Sequence, residues 1–593
     1  MADPIYRIHP AIGIARVGNA DRATFFIGPE FPNFGPAGPP SLALFNYKSG
    51  GLIRPQAARF RVYEYLTNKK GELYASREVN LGHPDCESIT WKVHLANRKA
   101  SFFQFEYLNG ESPYPQGKRR NDSVNNRRTL EIDPLPRSIT GKSKGPVEFR
   151  KGTSSNPTSE LWPTPAPSPP IEYLGELRTD DGGRLLVIGG MGKASGRAGT
   201  TLGFPDTFNS DGWFDDVSDG PVTADIVMVD SKGKRKTYKV EPAWVLCGPP
   251  DFAPGLTNFV TLYDLLYDMA ARRMTLSANE LVYDGVLNSL FAINQDFVAN
   301  GGVRLTSYKP DYDHDIYPIL HRALQHAFTY EKLKTGHLSF NTQLVALGDP
   351  APAKASLREF FFKYIREPGL VGTAREMPKL HGDQWGNAAS KYRLLTVTKM
   401  QHAMLERWAA GQFVKTGGKL PPPRPAWHDD ITAHGLDRAA IENCVGGAFA
   451  PGIEVSWQIR NTKLFADAFR IDHKALSQYL GDTSGTIRAG HFSRQMSLPW
   501  HTDFHACKFD SGYGWWPAIR PDIAYLSAQD FHDRNKAGTR PPQAWIRSSG
   551  AAWPGGGAEP SFDEFVANFH KLGFVREGPA PLHLEQERAA SVP

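Results

Sequence analysis

The sequence has very few cysteines, four in 593 residues. They lie far apart, so no C-x-x-C pair is present for zinc binding or thiol redox chemistry, and a disulfide-stapled scaffold is excluded. We therefore expect a reducing compartment. The four are Cys86, Cys247, Cys444 and Cys507.

Long hydrophobic runs are also lacking. Nowhere do about 18 uncharged apolar residues follow one another, and the N-terminus has no basic segment followed by an apolar one. The net charge is only +6, and the basic residues are scattered rather than gathered in a stripe. We expect a protein made in the cytoplasm that binds neither membranes nor nucleic acids. Export by a non-classical route stays open.

Hydrophobic residues, glycine, proline and aromatic residues are plentiful. A hydrophobic content of 40% in a chain of this length is enough for large cores. The 56 glycines and 47 prolines indicate many turns and long connections, which the aromatic side chains help to fill.

The first 250 residues show the period-two alternation of half-buried strands. Examples are 59–65, 89–95 and 222–229, each bounded by turn-forming residues. A stretch near 110–170 is rich in proline and serine, which predicts a long extended loop. We predict a β-rich domain over residues 1–250, with a β-sandwich-like architecture.

The spacing of apolar residues becomes helical after residue 250. Helices are predicted within 262–269, 316–330, 355–365 and 392–408. The sequence thus predicts an α+β protein whose second domain, residues 251–593, is mainly helical, rich in loops and catalytic.

An acidic cluster around Trp213 superficially suggests calcium binding. It lacks the regular oxygen spacing and the final glutamate of an EF-hand loop, and turn chemistry explains aspartates at such positions equally well. The cluster consists of Asp211, Asp215, Asp216 and Asp219.

Potential catalytic groups are concentrated in the segment from Trp500 to Cys507. As a strand, the segment would place His501, Asp503, His505 and Cys507 on one face, as four possible metal ligands of a hydrolase. As a helix, the segment would place Asp503 above Cys507, and His501 above His505, on the same face. A third reading makes Cys507 an unmodified buried thiol in a non-catalytic protein.

Three blocks of the chain resemble a known family. Residues 5–19, 213–222 and 446–454 are similar to the L-lysine epsilon-oxidase (LodA-like) quinoproteins, whose relatives include glycine oxidases. The resemblance extends from residue 5 to residue 575 and so covers nearly the whole chain. It implies an amino-acid oxidase, with the cofactor carried by the helical part.

The resemblance implies a cofactor built from the chain itself. In this family a cysteine and a tryptophan form cysteine tryptophylquinone, and an aspartate four residues before the cysteine is needed to make it. Cys507 and Asp503 match that pair, and Trp545 matches the tryptophan of a Trp-x-Arg block that follows the Trp516-Pro517 motif. The other candidates for the tryptophan are Trp515, Trp516 and Trp553.

The implied reaction starts with attack of a primary amine on a quinone carbonyl, which gives a Schiff base. Asp503 then acts as the base, hydrolysis releases the oxidised product, and O₂ reoxidises the cofactor with release of ammonia and H₂O₂. Phe208 corresponds to an aromatic pocket residue of the family, and His532, like His501 and His505, is a candidate for substrate contact or proton transfer.

The resemblance also implies a maturation partner, a LodB-like flavoprotein that completes oxygenation of the tryptophan. The sequence does not identify the amino acid or amine that is oxidised. It also leaves open whether the chain forms a homo-oligomer.

Overall fold

The structure is a computed structural model. It describes residues 4–32, 45–67, 73–104, 118–202, 209–276, 285–338, 340–371, 377–384, 387–416, 431–448, 454–455, 457–480, 485–506, 513–535, 543–544, 562–579 and 582–589.

Most strands lie in the first 250 residues. In chain order they are β1 (Ile5–His9), β2 (Ile12–Arg16), β3 (Phe26–Ile27), β4 (Lys48–Ser49), β5 (Leu52–Ile53), β6 (Gln56–Thr67), β7 (Leu73–Val79), β8 (Cys86–Val93), β9 (Arg137–Thr140), β10 (Val147–Arg150), β11 (Tyr173–Thr179), β12 (Leu185–Ile188), β13 (Ala194–Gly196), β14 (Trp213–Asp215), β15 (Ser218–Val229), β16 (Arg235–Lys239) and β17 (Ala243–Gly248). Four short strands follow much later: β18 (Ile523–Ala524), β19 (Gln543–Ala544), β20 (Phe574–Glu577) and β21 (His583–Gln586).

Thirteen of these strands form one continuous sheet, whose main path runs β10-β11-β12-β6-β2-β17-β15-β8-β9. The two 12-residue strands explain why the sheet is continuous. β6 pairs with β12, β2 and β3 near its start and with β1 and β7 further on, and β15 pairs with β17, β8 and β16 in the same stepwise way. The strands therefore link into one sheet rather than the two separate sheets of a sandwich.

The two ends of this path approach each other. The Arg137 Nε group of β9 donates to the Glu148 carbonyl of β10 at 2.9 Å, so the sheet is nearly closed. Both strands lie within the stretch predicted as an extended loop. Alternation explains the difference, because Arg137 and Ile139 are buried while Ser138 and Thr140 are exposed.

The described α-helices all follow residue 250. They are α1 (Leu262–Arg273), α2 (Gly285–Ala299), α3 (Tyr317–His326), α4 (Glu331–His337), α5 (Phe340–Leu347), α6 (Ala355–Tyr364), α7 (Lys399–Ala409), α8 (Ala433–Glu442), α9 (His501–Ala506), α10 (Ala528–Asn535) and α11 (Phe562–Asn568). The α+β prediction is thus confirmed. None of the helices in the described ranges is long and apolar enough to span a bilayer.

Helix α7 starts seven residues later than the sequence pattern predicts. Thr398 caps it by accepting from the Gln401 N–H, and the Gln401 side chain accepts from the Thr398 N–H in return. This reciprocal capping box fixes the start of the helix at Lys399.

The sheet and the helices share one hydrophobic core. Ile12 and Ile14 of β2, together with Trp244 and Leu246 of β17, belong to the same buried cluster as the apolar faces of α1, α3 and α7. Buried polar contacts join the same parts, because the His9 imidazole lies 2.9 Å from Asp437 of α8. The proposed division near residue 250 is therefore crossed by continuous packing.

Candidate active site

Helix α9 occupies the segment just before Cys507. It begins at His501 and ends at Ala506, so the helical alternative for this segment is confirmed. The N–H of Trp500, the residue preceding the helix, donates to Asp215 Oδ2 at 2.8 Å. This bond ties the start of α9 to the end of β14, on the sheet.

Asp503 is the central acidic group of α9 and has no solvent exposure. The Ser497 hydroxyl donates to its Oδ1 atom. Its Oδ2 atom is buried and has no hydrogen-bond partner among the described residues. Burial raises the pKa of Asp503 well above the usual range, and the Glu454 carboxylate acts in the same direction, whereas Ser497, Lys99 and Arg120 oppose the rise. Asp503 is therefore suited to hold or accept a proton.

A wholly buried ion pair lies beside this carboxyl group. The Lys99 ammonium contacts Asp215 Oδ2 at 2.5 Å, and both side chains have no solvent exposure. Asp215 also accepts from the Asn97 side-chain amide at 2.8 Å through Oδ1. Burial lowers the pKa of Lys99, while Asp215 and, more weakly, Asp503 oppose that shift. One carboxylate thus fixes both a buried cation and the start of α9.

The two histidines of α9 are buried. The His501 ring stacks on the Trp500 indole, with 3.7 Å between the ring centroids, and burial lowers the pKa of His501 well below its ordinary value. Within the described ranges, no three His, Cys, Asp or Glu side chains are arranged to hold a metal ion. His501, Asp503 and His505 alone therefore do not form the alternative metal site, whose fourth member, Cys507, lies outside those ranges.

The segment 520–523 connects two parts of the site. The Arg520 Nε group donates to the Phe504 carbonyl of α9 at 2.9 Å. Three residues later Ile523 pairs with Ala544 in the short β18–β19 ladder. Three extended residues span at most about 11 Å. The segment thus holds together the chain just before each of the two residues predicted to form the cofactor.

A cavity, called the inner cavity below, lies next to this segment. Its free volume is only about 10 Å³, room for about one water molecule, and its lining includes Phe259, His381, Ala448 and Trp516. The Trp516 indole N–H donates to the Ala448 carbonyl at 2.7 Å, and the neighbouring Trp515 ring lies 4.8 Å from the His381 ring. The cavity is small, and aromatic rings form part of its wall.

The other predicted residues are placed as follows. Cys507, Trp545 and Phe208 lie outside the described residues, so their roles stay predictions. His532 lies on α10, where it is exposed, and among the described residues it is not one of the contacts of Asp503. Its role in substrate contact also stays a prediction. The remaining cysteines, Cys86, Cys247 and Cys444, are buried free thiols.

Sequence reasoning missed the polar partners of Asp503. Lys99 lies at a 3-10 turn after β8, more than 400 positions before Asp503, and no local pattern marks it. Ser497 is an ordinary serine in the sequence. Of these polar groups, only Asp215 belongs to a feature visible in the sequence, the acidic cluster around Trp213. The cluster gave no indication that Asp215 binds Lys99 and the start of α9. In the structure this cluster binds backbone and side-chain donors from distant segments.

Comparisons with known proteins show the family of the chain. Residues 9–247 match the family described as L-Lysine epsilon oxidase N-terminal, and residues 378–527 match the L-lysine epsilon oxidase C-terminal domain. The chain is 30% identical over 566 residues to an L-lysine 6-oxidase of Marinomonas mediterranea, covering 84% of this chain and 70% of that protein.

Solved structures show the same fold. The L-Lys epsilon-oxidase of Marinomonas mediterranea, solved as a Schiff base intermediate with L-Lys, superposes with a TM-score of 0.73 at 24% identity, over 98% of this chain and 95% of the other. A second structure of that oxidase gives the same TM-score and identity over 98% and 94% of the two chains. The chain belongs to the L-lysine epsilon-oxidase (LodA) family and is an oxidoreductase of the amino-acid oxidase class.

Proposed function

We propose that this protein is a quinone-dependent oxidase that removes the primary amine of an amino acid, using O₂ and releasing ammonia and H₂O₂. L-lysine is the first candidate substrate, because the characterised relatives carry its name. The observation that supports the proposal best is Asp503, a wholly buried carboxyl group four positions before Cys507, one oxygen of which has no hydrogen-bond partner among the described residues.

The proposed cofactor is cysteine tryptophylquinone, formed from Cys507 and Trp545. When formed, this group supplies adjacent ring carbonyls that accept a primary amine and two electrons. The contacts of segment 520–523 support the choice of Cys507 and Trp545, since they tie this segment to Phe504, shortly before Cys507, and to Ala544, directly before Trp545.

Asp503 would take the proton from the amine-bearing carbon of the substrate. A general base works best with a pKa close to the operating pH, and burial moves the pKa of Asp503 upward in that direction. Ser497 would hold the carboxyl group in place through Oδ1, leaving Oδ2 to face the reaction. Trp500 and Phe504, both fully buried, would exclude water.

Maturation would need the same carboxyl group. Crosslinking and oxygenation remove hydrogens from the indole, and Asp503 would accept protons during these steps. The oxygenation would be completed by a LodB-like flavoprotein, as the resemblance implies.

Intact mass spectrometry tests the cofactor. Protein co-expressed with the flavoprotein should gain two oxygens and lose four hydrogens, absorb visible light and release H₂O₂ with L-lysine. Cys507→Ala, Trp545→Phe and Asp503→Asn should abolish the mass change, the colour and turnover. Cys86→Ala and Trp553→Phe are the matched controls and should keep all three.

Two results would change the proposal. Loss of colour in Trp553→Phe but not in Trp545→Phe would reassign the tryptophan. An unmodified mass in co-expressed wild-type protein would rule out the quinone and favour the non-catalytic alternative.

A further inference from the structure

The inner cavity lies where separate parts of the chain meet. Its lining includes residues from the segment before α1, the end of α3 and the segments 380–381, 447–448 and 516–517. A cavity with room for about one water molecule holds an ordered water only if it offers two or more polar partners. The polar side chains of the wall therefore decide what the cavity can bind.

Two side chains of this wall carry buried polar atoms that lack a partner. The Nδ2 atom of Asn258 and the Nε2 atom of His326 have no hydrogen-bond partner within the described part of the chain. Asn258 is 3% exposed, and His326 has no solvent exposure. Most buried polar side-chain atoms in folded proteins are paired with the protein or with ordered water. The two atoms thus indicate a small polar ligand in the cavity.

The hydrogen bond on the other side of the His326 ring fixes what Nε2 can do. The Nδ1 atom lies 2.8 Å from the Arg322 carbonyl oxygen, which can only accept, so Nδ1 carries the hydrogen. Burial lowers the pKa of His326 to about 4, so the ring is neutral at neutral pH and has a single N–H group. Nε2 therefore presents a lone pair and can accept a hydrogen bond, whereas the Asn258 amide can donate one.

Other polar groups at the wall are already paired with one another. The Trp516 indole N–H donates to the Ala448 carbonyl at 2.7 Å, and the His381 backbone N–H donates to the Gly514 carbonyl at 2.9 Å. These bonds hold the segments of the wall together without using the two unpartnered atoms. A ligand in the cavity would complete the set.

We propose that the inner cavity is a binding site for one ordered water molecule, which accepts a hydrogen bond from the Asn258 amide and donates one to His326 Nε2. The requirement to do both selects water. Dioxygen has no hydrogen to donate, and ammonium, the form that ammonia takes at neutral pH, has no lone pair with which to accept. The water ties the segment before α1 to the end of α3, and the site does not depend on the proposed function.

A high-resolution crystal structure of the wild-type protein, from crystals grown without ammonium salts, tests the site directly. The expected result is a single density peak at hydrogen-bond distance, about 2.7–3.2 Å, from both nitrogen atoms. A cavity without such a peak, or direct contact between the two side chains, would overturn the proposal.

A double-mutant cycle tests the same site in solution. Asn258→Leu and His326→Phe each replace a polar side chain by an apolar one of similar shape, and each leaves the water with one partner fewer. Each single variant should lower the melting temperature by about 1–3 °C. The double variant should lower it by clearly less than the sum of the two, because neither polar group is then left unpaired.

His337→Phe is the matched control for His326→Phe. His337 is also buried at the end of a helix, α4, and its Nδ1 atom lies 2.7 Å from the Ala323 carbonyl oxygen. Both histidine rings lie near Phe259, at centroid distances of 5.5 Å for His326 and 6.2 Å for His337, but His337 does not line the inner cavity. The effects of His337→Phe and Asn258→Leu should therefore add. Additive effects of His326→Phe and Asn258→Leu, or an equal departure from additivity in the control pair, would contradict the proposal.

Discussion

The protonation state of Asp503 decides what the buried site can do. Burial is the main cause of its raised pKa, and the charged groups around it act in opposite directions. The Lys99 and Arg120 cations favour the ionised form, whereas the Glu454 carboxylate disfavours it. The balance among these groups should therefore be visible in the pH dependence of turnover.

We expect kcat/KM to fall as the pH is lowered through the raised pKa of Asp503, because the protonated carboxyl group cannot accept a proton. Lys99→Met/Asp215→Asn removes a buried ion pair, and because the Lys99 cation opposes the rise in the Asp503 pKa, it should move this acidic limb to higher pH. Glu454→Gln should move it to lower pH. Lys99→Arg, which keeps the cation, is the control. Shifts in the same direction in both variants would contradict this electrostatic account.

At the scale of residues, the sequence predicted the groups that are proposed to carry the chemistry, but not the polar groups around Asp503. Asp503 was predicted through its spacing from Cys507 and the family resemblance. Ser497 donates to Asp503 from six positions away, and Lys99 acts on Asp503 electrostatically from its ion pair with Asp215. A lone lysine or serine in a sequence carries no signal of either role. Burial is the largest cause of the shift in the Asp503 pKa, and the aromatic residues Trp500 and Phe504 beside Asp503 in the sequence favour that burial.

At the scale of elements, Asp216 joins the end of β14 to the turn that follows β12. Its Oδ2 atom accepts from the Met191 N–H at 2.6 Å, while its Oδ1 atom is buried without a partner among the described residues. The Asp216 carboxyl group packs closely against the backbone of Gly190, because a Cβ atom on Gly190 would lie 2.5 Å from the carboxyl carbon. Burial raises the pKa of Asp216 to about 7.

This connection should make stability depend on pH. Between the ordinary carboxyl pKa of about 4 and the folded value of about 7, the folded state keeps a proton that the unfolded state has lost. Asp216 therefore lowers stability progressively as the pH rises through this window. Asp216→Asn cannot ionise, so its melting temperature relative to wild type should increase from pH 5 to pH 7.5.

The measurement is thermal unfolding followed by circular dichroism in buffers of matched ionic strength. Asp230→Asn, at an exposed turn of the sheet, is the control and should show a constant difference from wild type. A constant difference for Asp216→Asn as well would mean that its carboxyl group is ionised throughout the range.

The regular elements were predictable where their periodicity was long enough. The main sheet strands and α1, α3 and α6 correspond to patterns in the sequence. Helix α9 could not be predicted from the pattern of its residues, because a segment of six residues fits the strand period of two and the helix period of 3.6 about equally well. Strands β9 and β10 were missed because prolines and serines around them dominate the local composition.

At the scale of the whole molecule, the sheet and the helices depend on each other. Trp244 of β17 packs against His473 and Phe492 of the second half, with ring centroids 5.1 Å apart in both pairs. Arg16 of β2 forms a buried ion pair with Glu454 at 3.0 Å. Separating the two halves would expose apolar surface and leave charged groups buried without partners.

We therefore expect residues 1–250 expressed alone to lack a cooperative thermal transition and to bind a hydrophobic dye. The same fragment co-expressed with residues 251–593 should recover near-ultraviolet circular dichroism, and the intact chain provides the reference. An isolated fragment with sharp unfolding would show that the proposed domain boundary separates independent folding units.

The sequence predicted the α+β class and the order of its two parts, because strand and helix patterns occupy different halves of the chain. It did not predict that the sheet is continuous and nearly closed. That property depends on how β6 and β15 change partners along their length, and pairing between strands far apart in the chain leaves little trace in local patterns.

The burial of the remaining thiols bears on how this oxidase would withstand H₂O₂, the product proposed for it. Peroxide attacks the thiolate form of cysteine, which leads to sulfenic and higher acids. Burial raises the pKa of Cys86 to about 11 and that of Cys247 to about 12, and it raises the pKa of Cys444 well above the ordinary value. At neutral pH these three sulfurs stay protonated and shielded, so repeated catalytic cycles should leave them chemically intact.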